Sequence, residues 1–389
     1  MKSKGRLILD SIINSSDNLL IITPPFINSL LASIIILIER FRRNLLTHVT
    51  LLTLESLNDL RDVAGRYNSI LFVEPPSIMR LSEITNSFNG KRLFIIGKED
   101  AEWVNADTYL EYSVSMPQLI WQLLNNELGQ DSLRFLEAAI IYELMIVPPN
   151  YDISSFNGWS VTEPINFPAL PGILRLPLSA SLSRALSPII PGITGNETEA
   201  RNLVKVITKK ANATYRELGE DEVMTLLKYI GDFMLRAGFR GGDYLDKLIL
   251  MQRKWSDTDV DVLESILAIE AQLSLWEYIN GIMSPVLNPQ SVGDTDNVVA
   301  KYVSVIGEYL GQLGKANDIV LRQGYQSLTL VDRLCSIMNF YTESHNQSFA
   351  IEGSPLKIMC IFSNEEVGDA ELVFKRTGYS MAVRGGLRQ

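Results

Sequence analysis

Three short runs near the start of the chain, Asn18–Thr23 (NLLIIT), Ser69–Glu74 (SILFVE) and Arg92–Ile96 (RLFII), are apolar along their whole interiors. A fourth, His48–Thr53 (HVTLLT), is of similar length. Strands that are apolar on both faces need cover on both faces, which a parallel sheet flanked by helices supplies. Helix-like segments separate the runs, over Ser29–Arg43 and Ser56–Tyr67, with two more near Met116–Glu127 and Ser132–Tyr142. The first part of the chain is therefore predicted to be an α/β domain built on a parallel sheet.

The texture changes from Val147 to Pro191, where eight prolines punctuate a loop-rich connector. Helical periodicity resumes over Asn196–Ala211 and Glu220–Ala237, and a helical pair is predicted across Asp243–Met283. Ser291–Asp296 looks like a boundary. Beyond it the chain again reads as α/β: helices over Asn297–Leu313 and Leu330–Phe340, with strands at Asp318–Arg322, around Ala350 and Ile351, at Lys357–Phe362 and at Glu371–Phe374. The expected division is 1–147 for the first α/β domain, 148–290 for the proline-rich connector and helical region, and 291–389 for a smaller α/β domain.

Composition narrows the function. The formal net charge is −10, whereas a chain that grips nucleic acid alone usually carries a basic face. Protein partners are the better expectation. The basic N-terminus is followed by Asp10, Asn14, Ser15, Ser16 and Asp17 before any long apolar run, unlike a secretory signal. The longest apolar stretch, Leu30–Ile38, falls short of the roughly 20 residues of a membrane span, so a cytoplasmic protein without membrane contact is expected. Cys335 and Cys360 form no CxxC pair. A disulfide between them is conceivable, but two scattered thiols of an intracellular chain are more often small core residues.

In open α/β sheets, chemistry sits just past the carboxyl ends of the strands. Strand LLIIT, then PPFINS, then the helix LLASIIILIERF resembles the first motif of the DHH phosphoesterases, an apolar strand ending in H-x-D-x-D-G before an apolar helix. LFVEPPS is similar to the family's second motif, and RLFIIGKE stands where the family carries D-H-H. Pro188–Glu199 (PIIPGITGNETE), Tyr215–Leu218 and the C-terminal EVGDAELVFKRTGYSMAVRGG resemble later segments of the archaeal RecJ-like DHH/DHHA1 group. That group contains active single-strand nucleases and inactive kin. The inactive kin are similar to the eukaryotic cell-division-cycle protein 45, which with MCM and GINS forms the replicative CMG helicase. The resemblance implies a DHH-type sheet domain, a helical connector or insert, and a DHHA1-like C-terminal domain.

Activity in that family needs two divalent metal ions held by aspartates and histidines. Here the first-motif histidine falls on Pro24 and its aspartates on Phe26 and Asn28; the second-motif aspartate falls on Glu74. The D-H-H triplet falls on Gly97, Lys98 and Glu99, and a fourth-motif aspartate falls near Glu143. A hard two-metal site wants several carboxylates plus imidazoles, and Lys98 would repel a cation. The resemblance therefore implies no catalytic residue, no metal, no cofactor and no enzyme activity. It implies a replication subunit that binds GINS, through it MCM, and in addition single-stranded DNA.

The two histidines do not restore an enzyme. His48 opens a strand and should lie at the amino end of the sheet, away from the cleft; the Arg43-x4-His48 spacing straddles a helix end and a strand start. His345, in SHNQSFAIEG, loosely resembles the glycine-histidine loop by which DHHA1 domains hold single strands, although a plain turn explains it equally. Lys375, Arg376, Arg384 and Arg388 cluster with Phe374 and Tyr379, a charge-and-stacking pattern that can follow a single strand, although an ordinary solvated tail explains it at least as well. Lys205, Lys209, Lys210 and Arg216, and Arg236, Arg240, Arg253 and Lys254, read as solvent faces. Two other functions fit the same residues: a nucleotide sensor using the former cleft, and a metal-dependent nuclease remodelled around Glu74, Glu99 and Asp100.

Overall fold

The computed structural model describes residues 4–52, 60–76, 88, 90–98, 108–112, 115–124, 127–146, 156, 158–187, 189–236, 252–275, 281–313, 319–320, 327–342, 349–353, 356–361, 372–375 and 380–384. They form two compact units, 1–140 together with 353–389, and 141–352.

In the first unit, β1 (Leu19–Thr23), β2 (Thr47–Leu51), β3 (Ser69–Val73), β4 (Arg92–Lys98) and β5 (Thr108–Tyr112) make a sheet of order β2-β1-β3-β4-β5. Every neighbouring pair is parallel. Leu20 lies opposite Ile70, which lies opposite Leu93; Ile22, Phe72 and Ile95 align in the same way. These six share one face with Leu52, Leu60, Ala64, Tyr67 and Phe88. Strand alternation sends Ile21, Leu71, Val73, Phe94 and Ile96 to the other face, where they are equally buried. The doubly apolar strands thus lie where their composition requires.

Helices α1 (Lys4–Asn14), α2 (Ile27–Phe41), α3 (Leu60–Ala64), α4 (Met116–Leu124) and α5 (Gln130–Ile146) accompany the sheet. Two elements, α1 and β5, were not anticipated. Helix α1 buries only Leu9, Ile12 and Ile13, a narrow stripe at helical spacing. Strand β5 is an edge strand that buries Leu110 and Tyr112 and exposes Glu111. The fully buried Arg40 ties α1 to α2, donating to the carbonyls of Ile12, Ser15 and Asp17 and to the Thr47 hydroxyl. At Glu39, burial pushes the carboxyl up, but the Gly129 N–H, Ser132, Arg43 and Arg42 outweigh it and hold it below its ordinary value.

The second unit contains β6 (Thr162–Pro164), α6 (Leu178–Ser183), α7 (Glu197–Thr208), α8 (Glu220–Arg236), β7 (Arg253–Trp255), α9 (Val262–Leu275), α10 (Ser284–Leu287), α11 (Asp296–Leu313), β8 (Ile319–Val320), α12 (Leu328–Thr342) and β9 (Phe349–Gly353). Strands β6 and β7 pair antiparallel, and β8 and β9 parallel. The helical pair expected over Asp243–Met283 is corrected in part. Residues 253–255 are a strand anchored by the buried Trp255, whose indole N–H donates to Ser265, while 237–251 lie outside the described residues.

Helix α9 is buried at every position from Val262 to Ser274, so its polar side chains need partners inside the protein. Asp261 caps it, accepting from the N–H groups of Glu264 and Gly172 at 2.8 Å each. Glu264 accepts from Arg175, which also binds Asp296. Glu270 forms a two-pronged ion pair with Arg333 of α12 at 2.7 and 2.8 Å.

The last three strands belong to the first unit: β10 (Leu356–Ile361), β11 (Leu372–Lys375) and the unanticipated β12 (Ser380–Arg384), with β12 antiparallel to both others. Cys335 and Cys360 are both fully buried, each in its own unit, as small core residues are. Among the described residues, no helix is long and apolar enough to cross a membrane.

Candidate functional site

The strand order turns back at β1, with β2 on one side and β3 on the other. In an open parallel sheet this switch point leaves a crevice at the carboxyl ends of the two diverging strands. The residues there come from the turn after β1, the turn after β3 and the end of β4, the three segments singled out in the sequence.

After β1 the chain turns through buried Pro24 and Pro25 into Phe26, which takes the N-cap position of α2 with φ −97° and ψ 139°. Phenylalanine offers no oxygen to the first helical N–H groups, so its own side chain makes no capping hydrogen bond. What Phe26 offers is its ring, which is 1% exposed. It meets Phe374 of β11 edge to face, with centroids 5.1 Å apart and planes at 87°. One residue of the expected ligand set is thus part of an apolar core. Asn28, two residues on, is buried, and its Oδ1 has no hydrogen-bond partner among the described residues.

Glu74 follows β3 in the left-handed region, φ 45°, a conformation that costs roughly 1–3 kcal/mol for a residue other than glycine. Hydrogen bonds from both its backbone and its side chain hold it there. Its N–H donates to the Ile96 carbonyl at 2.7 Å, and its carboxylate accepts from the hydroxyls of Ser29 and Tyr112. The side chain that resembles a metal ligand therefore joins α2, β3 and β5 across the end of the sheet. Sequence reading missed Ser29 and Tyr112, because hydroxyls carry no motif and β5 itself was not anticipated.

At the end of β4, the Lys98 carbonyl accepts from the Tyr109 hydroxyl at 2.7 Å. A Cβ on Gly97 would lie 3.4 Å from that hydroxyl oxygen, an ordinary contact. Glu99 lies outside the described residues, and Glu143 is buried in α5. Among the described residues, no three His, Cys, Asp or Glu side chains gather as a metal ion would need.

The remaining sites divide. His48 lies beside Leu20 near the amino end of the sheet, its ring edge-on to Tyr67 at 5.5 Å, as its place in the strand implied. Lys205, Lys209 and Lys210 are exposed. Arg253 stacks on Trp159 at 4.1 Å and binds Thr162, while Lys254 pairs with Glu163 and Asp259. His345, Arg376 and Arg388 lie outside the described residues; Lys375 and Arg384 have their backbones in β11 and β12, but their side chains are not among those described.

Glu74 makes a test of this geometry. Replacing Glu74 by alanine leaves two hydroxyl donors without their acceptor and keeps the backbone strain, an expected loss of about 2–3 kcal/mol in guanidinium unfolding. Glu74→Gly loses the same bonds but relieves the strain, so it should be about 1 kcal/mol more stable than Glu74→Ala. Equal stability of the two variants would count against the left-handed conformation.

The chain matches no protein-family model and no curated protein. Among solved structures it is similar to RecJ from Thermus thermophilus in complex with Mn2+, at 9% identity and a TM-score of 0.49, over 97% of this chain and 51% of that one. A second RecJ exonuclease structure, bound to manganese, shares 11% identity at a TM-score of 0.43, over 97% of this chain and 89% of that one. With CDC45 from Entamoeba histolytica it shares 10% identity and a TM-score of 0.60, over 96% of this chain and 93% of that one. The likeness in fold expected from the strand-end motifs is borne out: this chain is built like CDC45 over nearly the full length of both.

Proposed function

We propose that this protein is a non-catalytic DHH-family subunit of the DNA replication machinery that binds GINS and, through it, MCM. In this reading 1–147 is a degenerate DHH-like domain, 148–290 the connector and helical region, and 291–389 a DHHA1-like domain. The observation that carries it is Phe26: where the family resemblance places a metal-binding aspartate, a buried aromatic ring packs on Phe374. Around it, Pro24 and Gly97 offer no ligand atom in their side chains, and the Glu74 carboxylate is engaged by Ser29 and Tyr112. The fold shared with CDC45 supports the placement, and a net charge of −10 suits a protein held by partners more than by phosphates. Contact with single-stranded DNA through His345, Lys375, Arg376 and Arg384 belongs to the same proposal.

The test is size-exclusion co-elution with GINS from the same organism, run beside a manganese-dependent exonuclease assay. A stable joint peak and no nuclease activity are expected. Separate elution at high concentration would remove the GINS assignment. Exonuclease activity abolished by Glu74→Ala would overturn the non-catalytic reading itself.

A further inference from the structure

Strand β2 is an edge of the first sheet, paired with β1 alone. It is also the only strand of that sheet with no buried residue. The ladder fixes which of its backbone groups are in use. The Leu19 N–H donates to the Leu46 carbonyl and the Leu52 N–H to the Thr23 carbonyl, at 3.1 and 2.7 Å. Leu46, His48, Thr50 and Leu52 therefore face β1, and alternation turns the N–H and C=O groups of Thr47, Val49 and Leu51 outward. Leu51 is already engaged. Just before the strand, Leu45 donates to the Arg40 carbonyl and accepts from the Thr47 hydroxyl. The outward backbone groups of Thr47 and Val49 have no partner among the described residues.

An open edge is a template for another strand, and soluble proteins usually block it with charge, proline or a bulge. The opposite edge, β5, carries Glu111, which is exposed. Strand β2 has none of these devices: its sequence is THVTL, and its register against β1 runs without a break from Thr47 to Leu51. Beside its amino end Phe41 and Leu46 are 76% and 53% exposed, apolar area that a covering strand and its neighbours would remove from water.

The pattern of open groups selects the occupant. Thr47 and Val49 lie one on each side of His48. Let a second copy of β2 run antiparallel, with the two-fold axis at His48. Thr47 then stands opposite Val49 of the second copy, and Val49 opposite Thr47 of the second copy. Each of these pairs exchanges two N–H···O bonds, so every open group is used and none is left over. Thr47 and Val49 are both β-branched, which suits a cross-strand pair. The contact uses the same patch on both molecules and closes on itself.

We propose that β2 is a homodimer interface, joining two copies of this chain through an antiparallel β2–β2 pair centred on His48. The two five-stranded sheets become one continuous sheet. This inference goes beyond the replication reading and stands without it, because it uses only the edge of the first unit.

Sedimentation velocity on the full chain over a concentration series tests it, together with amide hydrogen exchange at the lowest and highest concentrations. A monomer–dimer equilibrium is expected, with the Thr47 and Val49 amides gaining protection as the dimer forms. Val49→Pro removes an N–H that points away from β1, so the ladder to β1 stays whole. It deletes half of the bonds between the copies and should weaken association about tenfold or more. His48→Lys keeps every backbone group at an exposed position but sets two ammonium groups opposite each other, and should weaken association as well. A chain that is monomeric at every concentration would overturn the proposal. So would a dimer that forms undiminished in both variants, or one that leaves the Thr47 and Val49 amides unprotected.

Discussion

Replacing Arg333 by methionine is expected to cost about 3–5 kcal/mol, because it leaves the Glu270 carboxylate buried and unpaired. Both side chains are 1% exposed. The guanidinium binds Glu270 with two nitrogens, reaches the Ser187 hydroxyl at 3.2 Å and stands 5.2 Å from the Tyr142 ring centre. Burial alone would lower its pKa; the neighbouring Glu270 outweighs that and holds it well above its usual value, so it stays charged. Removing both partners is a different experiment. An apolar pair of similar volume often matches or exceeds a buried ion pair in stability, because neither charge then has to leave water. Glu270→Leu combined with Arg333→Met should therefore recover most of what Arg333→Met loses. Calorimetry on the two single variants and the double variant measures this coupling. Single and double variants losing equally would mean that the pair is not the source of the cost.

That ion pair also shows where sequence reading runs out. Helix α9 and helix α12 are legible as apolar periodic segments, but LAIEAQLSL and LVDRLCSIM do not say which acid meets which base. Partner choice is a tertiary property. The parallel sheet lay at the other extreme: runs such as LLIIT and SILFV must be buried on both faces, and β1 and β3 are. Edge elements fell between. Strand β5 buries two residues of five, too few to stand out from a loop, so Tyr112 and its bond to Glu74 could not be foreseen. The sequence marked Pro24, Phe26 and Asn28 as the positions to inspect, through the family resemblance. That the ring of Phe26 is seated on Phe374 depends on residues far apart in the chain and appears only when it is folded.

Phe26→Ala puts that packing to the test. Deleting a buried phenylalanine ring costs about 3–5 kcal/mol, of which the edge-to-face pair accounts for roughly 0.5–1.5 kcal/mol. Phe374→Ala should lose a similar amount, and the double variant less than the sum of the two by about that pair term. The more informative change is Phe26→Asp, which introduces the residue type that the DHH first motif carries. If the site were one substitution from a metal centre, manganese would raise the Tm of this variant by binding its native state. The expected result is the reverse: a larger loss than for alanine, since a carboxylate enters an apolar core without a partner, and no recovery with manganese. Pro24 and Gly97 still offer no ligand, and Glu74 is still held by Ser29 and Tyr112. A manganese-dependent rise in Tm would mean that a ligand set persists beneath the ring, and that Phe26 blocks a metal site which the rest of the chain has kept.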